Sequence, residues 1–316
     1  MTNILMYALA VLIWGSTWFA IEFQLGTVAV EVSLAYRYLA AAVLLFGWCL
    51  ATKRRLRFDA ASHRYFALLG LFLFGLNYVL AYYAQVHITS ALAAIAFSTI
   101  LWMNIVNSRL ILGTRIEPAT YGGAVLGIVG IVVLFWPAVQ SLSLTDETLI
   151  GACLVVASAA VASIGNIISQ RAQQRGLPVV QANAWGMLYG GVLLTAAAVL
   201  EGRPFTFDFS TGYVVSLAYL TVFGSIVAFG AYLTVLGRIG AHRAGYVFVM
   251  FPIVAVLISA MFEGLQIDWH IVVGAGIALA GNLVILAQRH RKAAMVTGNT
   301  AGGPLSATAM SRRSTA

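Results

Sequence analysis

Read from its first residue, the chain repeats one pattern: an unbroken apolar run of about twenty residues, a short polar break, then another run. A helix rising 1.5 Å per residue needs roughly 20 such residues to cross a hydrocarbon core of about 30 Å. Windows of that length fall near residues 4–22, 31–51, 65–86, 90–112, 118–136, 149–170, 181–199, 212–236, 241–262 and 270–288. The pattern predicts an all-α integral membrane protein of ten transmembrane helices. The runs are too long and too continuous for the alternating strands of a membrane β-barrel. Their breaks carry the punctuation expected of helix ends: KRRLR after the second run, Pro118 opening the fifth, Pro137 closing it, and Pro178 and Pro204 in loops. The first run lacks the basic start of a secretory signal and is longer than a cleavable apolar segment, so it reads as the first span.

Composition agrees with this picture. Of 316 residues, 61% are hydrophobic and 9% charged, against roughly 25% charged in globular proteins. So few charges cannot cover a soluble surface of this size. Cys49 and Cys153 both sit inside apolar runs and read as small core residues, not as a disulfide framework or a thiolate metal site.

The net charge of +8 would point to nucleic acid if it formed one patch, but the basic residues lie in the short breaks and set topology instead. With the first residue on the cytoplasmic side, 16 of the 18 Lys and Arg residues fall inside, among them Lys53, Arg54, Arg55, Arg57, Arg171 and Arg175. Arg203 falls outside, with most of the acidic residues, and Arg37 lies within a span. Both termini are therefore expected in the cytoplasm. Residues 291–316, rich in Ala, Ser, Thr and Gly, read as a disordered cytoplasmic tail.

A shift of 149 residues lays the second half on the first: AYRYLAAAVLL (35–45) meets AWGMLYGGVLL (184–194), Gly75 meets Gly224 and Tyr83 meets Tyr232. After a two-residue slip, Gly123 and Gly130 meet Gly274 and Gly281. The expected organisation is one five-helix repeat over 1–137 and a second over 138–290. Five being odd, the second copy crosses the membrane in the opposite sense. Inverted repeats of this kind place a transport site near the midplane between halves.

Several of these elements resemble one family. Trp14-Gly15-Ser16 in the first span, Arg37 before an Ala-rich stretch, Pro252-Ile-Val-Ala followed by Phe262-Glu263, and the paired glycines of spans five and ten look like the EamA branch of the drug/metabolite transporter superfamily. The resemblance runs to about residue 288 and implies a ten-helix inner-membrane carrier, often an exporter of amino acids or other small metabolites. Thr114 stands where the first half of such chains carries the counterpart of Glu263, which casts Glu263 as a structural residue at a helix end. Met103 stands where a counterpart of Pro252 is common.

Motifs for other chemistry are missing. The chain holds no GxxxxGK[ST], no HExxH and no GxSxG. Its acidic residues and histidines lie near helix ends or in loops, so a membrane-embedded enzyme has no acid, base or metal site at depth, and no cofactor is expected. A sensor would need a soluble output domain.

Cavity candidates are the polar and aromatic residues placed deep in the spans. Arg37 must find a partner or a wet cavity, since an unpaired guanidinium there costs several kcal/mol. It is read as a structural group, paired with Glu31, Glu22 or a helix C-terminus or snorkelling to the interface, the alternative being a ligand for a substrate carboxylate. Trp14 and Trp18, and Tyr78 with Tyr82, share helix faces at i, i+4 spacing, and Trp102 lies mid-span. Asn77, Asn104, Asn107 and Asn166 need hydrogen-bond partners. The chosen cavity candidates are Trp14, Ser16, Trp18, Arg37, Asn77, Tyr78, Trp102, Asn166 and Tyr232. Tight helix packing is the competing fate of each aromatic. Gly123/Gly127 and Gly186/Gly190 read as packing faces, and Pro252 as a hinge.

The function expected from the sequence is secondary transport of small organic metabolites by alternating access, with a small-molecule substrate and the lipid bilayer as partners. Drug-like or lipid-linked solutes are the alternative cargo.

Overall fold

In the computed structural model the described residues are 2–112, 147–239, 247–265 and 267–281, with scattered helical residues between 122 and 136 and single residues at 244 and 283. Most of the predicted span five, Thr114, Pro118, Pro137, Gly127 and the tail 291–316 lie outside them. Among the described residues the regular structure is entirely helical.

The chain runs α1 (Asn3–Glu22), α2 (Val30–Ala51), α3 (Ala60–Gln85), α4 (Ser90–Phe97 continued by Ile100–Leu112), α5 (Glu147–Gln174), α6 (Val179–Leu200), α7 (Thr211–Ile239), α8 (Val247–Phe262) and α9 (Trp269–Gly281). The helices α5 to α9 thus answer to predicted spans six to ten. Among the described residues seven helices are long and apolar enough to cross a membrane, and Met250–Phe262 and Trp269–Gly281 are shorter apolar helices.

Local chemistry sets the helix ends. Thr2, Asp59 and Ser210 accept from the backbone N–H groups of Leu5, Ser62 and Tyr213 at the starts of α1, α3 and α7. Asp268 accepts from Ile271 N at 2.9 Å ahead of α9, and that bond holds its carboxyl below the usual carboxylate range. The helices α5, α6 and α8 are followed by Gly176, Gly202 and Gly264, all at positive φ. There Leu177 N reaches Ala172 O and Arg203 N reaches Ala198 O, six-residue closures that only a left-handed residue allows.

Both α3 and α7 widen at mid-span into π-helical turns, over Gly70–Leu76 and Leu220–Val227. The two segments overlap under the 149-residue shift. Within the first, a Cβ on Gly75 would stand 2.9 Å from Gly70 O, so the widened turn closes only around a glycine. In the second, Gly224 leaves room for the Arg37 guanidinium, whose Nη2 would lie 3.2 Å from a Cβ there.

Packing joins the first four helices to the last five. The helix α2 lies along α6, α3 against α5 and α6, α1 against α8 and α7, and α4 against α5. Under the repeat shift the α1–α8 pair answers to α5–α4, and the α1–α7 pair to α5–α3. Glycines mark the closest crossings. A Cβ on Gly70 would meet Gly190 N at 2.7 Å and Gly186 O at 2.8 Å, so the Gly186/Gly190 face predicted for packing receives the π turn of α3. Gly15 meets Val254 of α8 in the same way, and Gly130 lies against Gly274 and Ala278. Cys49 is buried, whereas Cys153 is exposed on α5, contrary to its reading as a core residue. Large apolar side chains such as Val43, Trp48, Leu50, Val199 and Leu200 also stay exposed, an outer surface suited to lipid.

Gly70→Ala should separate α3 from α6 and destabilise the protein by about 1–3 kcal/mol, the usual range for overpacking. Gly47→Ala on α2, where a Cβ meets only open space, should leave the unfolding midpoint in detergent unchanged or raised. Equal midpoints for the two variants would contradict the close crossing.

Candidate functional site

At the centre of the bundle, α1, α3, α4, α5, α7 and α8 surround a narrow cavity of about 50 Å³. Its walls are mainly aromatic. Trp14 and Trp18, one helical turn apart on α1, stack on Phe248 and Phe251, one turn apart on α8, with ring planes 13° and 12° from parallel. Phe229 sets its edge against Trp14 at 5.0 Å between centroids, and Phe97 closes the layer beside Trp18 and Phe251. Edge and offset arrangements of this kind let rings pack without opposing their negative faces.

A few polar groups interrupt the aromatic wall. Asn77 lines the cavity where α3 leaves its π turn; its Nδ2 donates to Leu73 O at 3.2 Å and its Oδ1 accepts from Ser158 Oγ at 2.8 Å. Asn166 on α5 donates to Asn104 Oδ1 at 3.3 Å. Thr17 Oγ1 donates back to Trp14 O, and Trp14 Nε1 donates to Gly224 O in the π turn of α7 at 3.3 Å. The Tyr232 hydroxyl is buried and has no hydrogen-bond partner among the described residues. These bonds tie Asn77 to α5 and Trp14 to α7, so the cavity wall is shared between the two parts of the chain.

Of the nine residues singled out in the sequence, Trp14, Trp18, Asn77, Tyr78, Asn166 and Tyr232 line this cavity together. The other three do not. Ser16 faces α7, where its hydroxyl lies 2.6 Å from that of Tyr219 and also reaches Ile13 O. Trp102 is half-buried and packs against the core from α4. Arg37 sits one layer behind the wall. Sequence reasoning missed Phe97, Phe229, Phe248 and Phe251. The i, i+3 spacing of Phe248 and Phe251 was the available signal.

Arg37 departs from its expected pairing. Neither Glu31 nor Glu22 reaches it: Glu31 accepts from Tyr83 OH at 2.6 Å and lies 4.0 Å from Arg203, while Glu22 accepts from Gln85. Instead Arg37, 1% exposed, donates through Nε to Ser225 Oγ at 2.9 Å and through Nη1 to Tyr82 OH at 3.2 Å. Its guanidinium lies 4.7 Å from the centre of the Tyr78 ring and 5.3 Å from that of Tyr38. A desolvated guanidinium gains about 2 kcal/mol or more from an aromatic face, so rings and hydroxyls take the place of a carboxylate. The glutamates lie at the end of α1 and in the first turn of α2, and find partners at that same end.

A bundle of apolar helices that surrounds a central cavity of aromatic and amide groups is the architecture of a membrane transporter. The EamA-like transporter family model matches residues 1–136 and again 149–287, and the chain belongs to that family. Protein PagO of Salmonella typhimurium LT2 is 24% identical over 84% of this chain and 86% of its own length. The protein named "Uncharacterized inner membrane transporter YedA" of Escherichia coli K12 is 28% identical over 82% of this chain and 83% of its own. A solved structure described as "Crystal structure of protein" shares the fold, with a TM-score of 0.68 at 18% identity over 92% of this chain and 98% of that one. The family is one of transporters and the E. coli relative is named as one, so the chain stands with transporters and not with enzymes.

The bonds of Arg37 generate a test. Ser225→Ala should cost about 1.5–3 kcal/mol, the worth of a hydrogen bond to a charged group. Arg37→Ala should lower folded yield and impair every substrate alike. Thermal unfolding in detergent beside liposome flux checks both, and a stable Arg37→Ala protein that fails only with carboxylates would make the guanidinium a substrate ligand.

Proposed function

We propose that the protein is a secondary carrier of the cell inner membrane that exports small organic metabolites, amino acids among them, by alternating access between two inverted five-helix halves with both termini in the cytoplasm. The aromatic cavity carries this reading. Its wall is drawn from both stretches that match the family, and two buried amides, Asn77 and Asn166, line it. Three features support inverted halves: the family match occurs twice, the π turns of α3 and α7 overlap under the repeat shift, and helix pairs that join the halves recur, α1–α8 as α5–α4 and α1–α7 as α5–α3. The strong inward bias of Lys and Arg supports the orientation, and the name of the E. coli relative supports the inner membrane.

A volume of about 50 Å³ holds a few waters and no metabolite. Solute sites usually span roughly 300–1,000 Å³, so the walls part when a solute enters. Pro252 lies inside α8 immediately after Phe251, where a missing backbone N–H weakens the helix beside the cavity wall. Motion there would unstack Trp18 from Phe251 and widen the cavity, the hinge role expected of Pro252. The stacked rings favour solutes with a flat or apolar body, which keeps drug-like cargo as the second reading.

A flux screen of the purified protein in liposomes against amino acids and other small metabolites tests transport. With Cys49 and Cys153 first replaced, cysteines at Asn77 and Phe251 should react with small thiol reagents and be protected by a transported solute, while one at Ser16 should stay inert. Inertness at both cavity positions would move the pathway elsewhere. A reporter fused to the C-terminus should be active on the cytoplasmic side alone.

A further inference from the structure

A second pocket, of about 350 Å³, opens at the bundle end opposite the Lys53–Arg57 loop, lined by Glu22, Gln85, His87, Thr89 and Glu263 among others. Its lining follows that of the aromatic cavity along α1. Trp18 and Ile21 line the cavity and Glu22 the pocket, while Gln85 Nε2 bridges the two by donating to Trp18 O at 2.8 Å and to Glu22 Oε1 at 3.0 Å.

Its unpartnered buried atoms are mostly acceptors. Gln85 is 4% exposed, yet its Oε1 has no hydrogen-bond partner among the described residues. Glu263 receives Ser259 Oγ on Oε2 and, among the described residues, has nothing on Oε1, while Thr89 Oγ1 and His87 Nδ1, which can each accept or donate, are unpartnered there as well. A buried acceptor left empty costs about 1–3 kcal/mol, so Gln85 Oε1 and Glu263 Oε1 are a standing demand for a donor. The carboxyls of Glu22 and Glu263 add further oxygen acceptors, and His87 faces Glu147 at 4.0 Å. A primary ammonium brings three N–H donors and a positive charge and accepts nothing. A void of this size does not coordinate a bare metal ion closely, and the aromatic rings beyond Trp18 suit the apolar body that such a head would carry.

We propose that Glu22, Gln85, Thr89 and Glu263 form a vestibule that captures the ammonium head of a protonated primary amine at the mouth of the aromatic cavity. The proposal rests on reading that cavity as the transport site, and it gives Glu263 a role in binding beyond its expected place at a helix end.

Calorimetry on the full chain in lipid nanodiscs, with 2-phenylethylammonium, its uncharged counterpart 2-phenylethanol, and sodium chloride, tests it. The amine should saturate one site and bind at least about tenfold more tightly than the alcohol, as expected of charge-assisted contacts. Glu263→Gln, and Thr89→Lys as a tethered ammonium, should each weaken the amine by about tenfold or more while the unfolding midpoint stays near that of the parent. Glu22→Gln repeats the first test if Glu263→Gln loses its fold. Equal binding of amine and alcohol, unchanged affinity in the variants, or displacement of the amine by sodium at equal concentration would overturn the vestibule. A protein that binds the amine and moves no solute would instead overturn the carrier reading.

Discussion

The interior of a bilayer offers neither donors nor acceptors, so every polar group that enters it must be satisfied by the protein itself. Arg37 shows how far the fold goes to meet that demand. A full positive charge lies buried on α2, and α3 and α7 converge on it with two hydroxyls and an aromatic face. Gly224 makes the convergence possible by leaving the guanidinium its space. The same demand explains the bonds of Asn77 to Ser158 and of Asn166 to Asn104. Near the other end of α1, Gln24 gathers Ser33, Tyr213 and Ser216 into one buried network.

The π turns connect this accounting to the cavity. A turn widened by one residue re-aims the side chains that follow it, and each turn here sits at mid-span where a polar or aromatic group meets the cavity wall. Asn77 emerges from the first of them. The second presents Gly224 O to Trp14 and Ser225 to Arg37. The close glycine crossing at Gly15 then brings α8 near enough to α1 for the ring layers to stack. A cavity built this way is narrow at rest, and its rings separate only if a helix moves. Pro252 places the weak point of α8 beside those rings.

The sequence by itself determined the solvent, the helices and their order. Apolar runs of spanning length leave no other structure in lipid, and each observed helix from α1 to α9 falls on a predicted span. Six of the nine residues it singled out line the cavity, because a deep Asn, Trp or Tyr is costly enough in lipid to stand out by type alone. Partners and facing were decided by the tertiary structure. Arg37 reads as a charge in search of a carboxylate, and only the crossing of α2 with α7 reveals Ser225, 188 positions away, as its acceptor. Ser16 and Trp102 are deep like the others, but helix rotation turns them away from the cavity, and an apolar run without a polar face carries no record of that rotation. Phe248 and Phe251 share a face by their i, i+3 spacing, but that spacing does not say which way the face turns. In a helix hydrophobic all round, only contact with its neighbours decides which side faces the site.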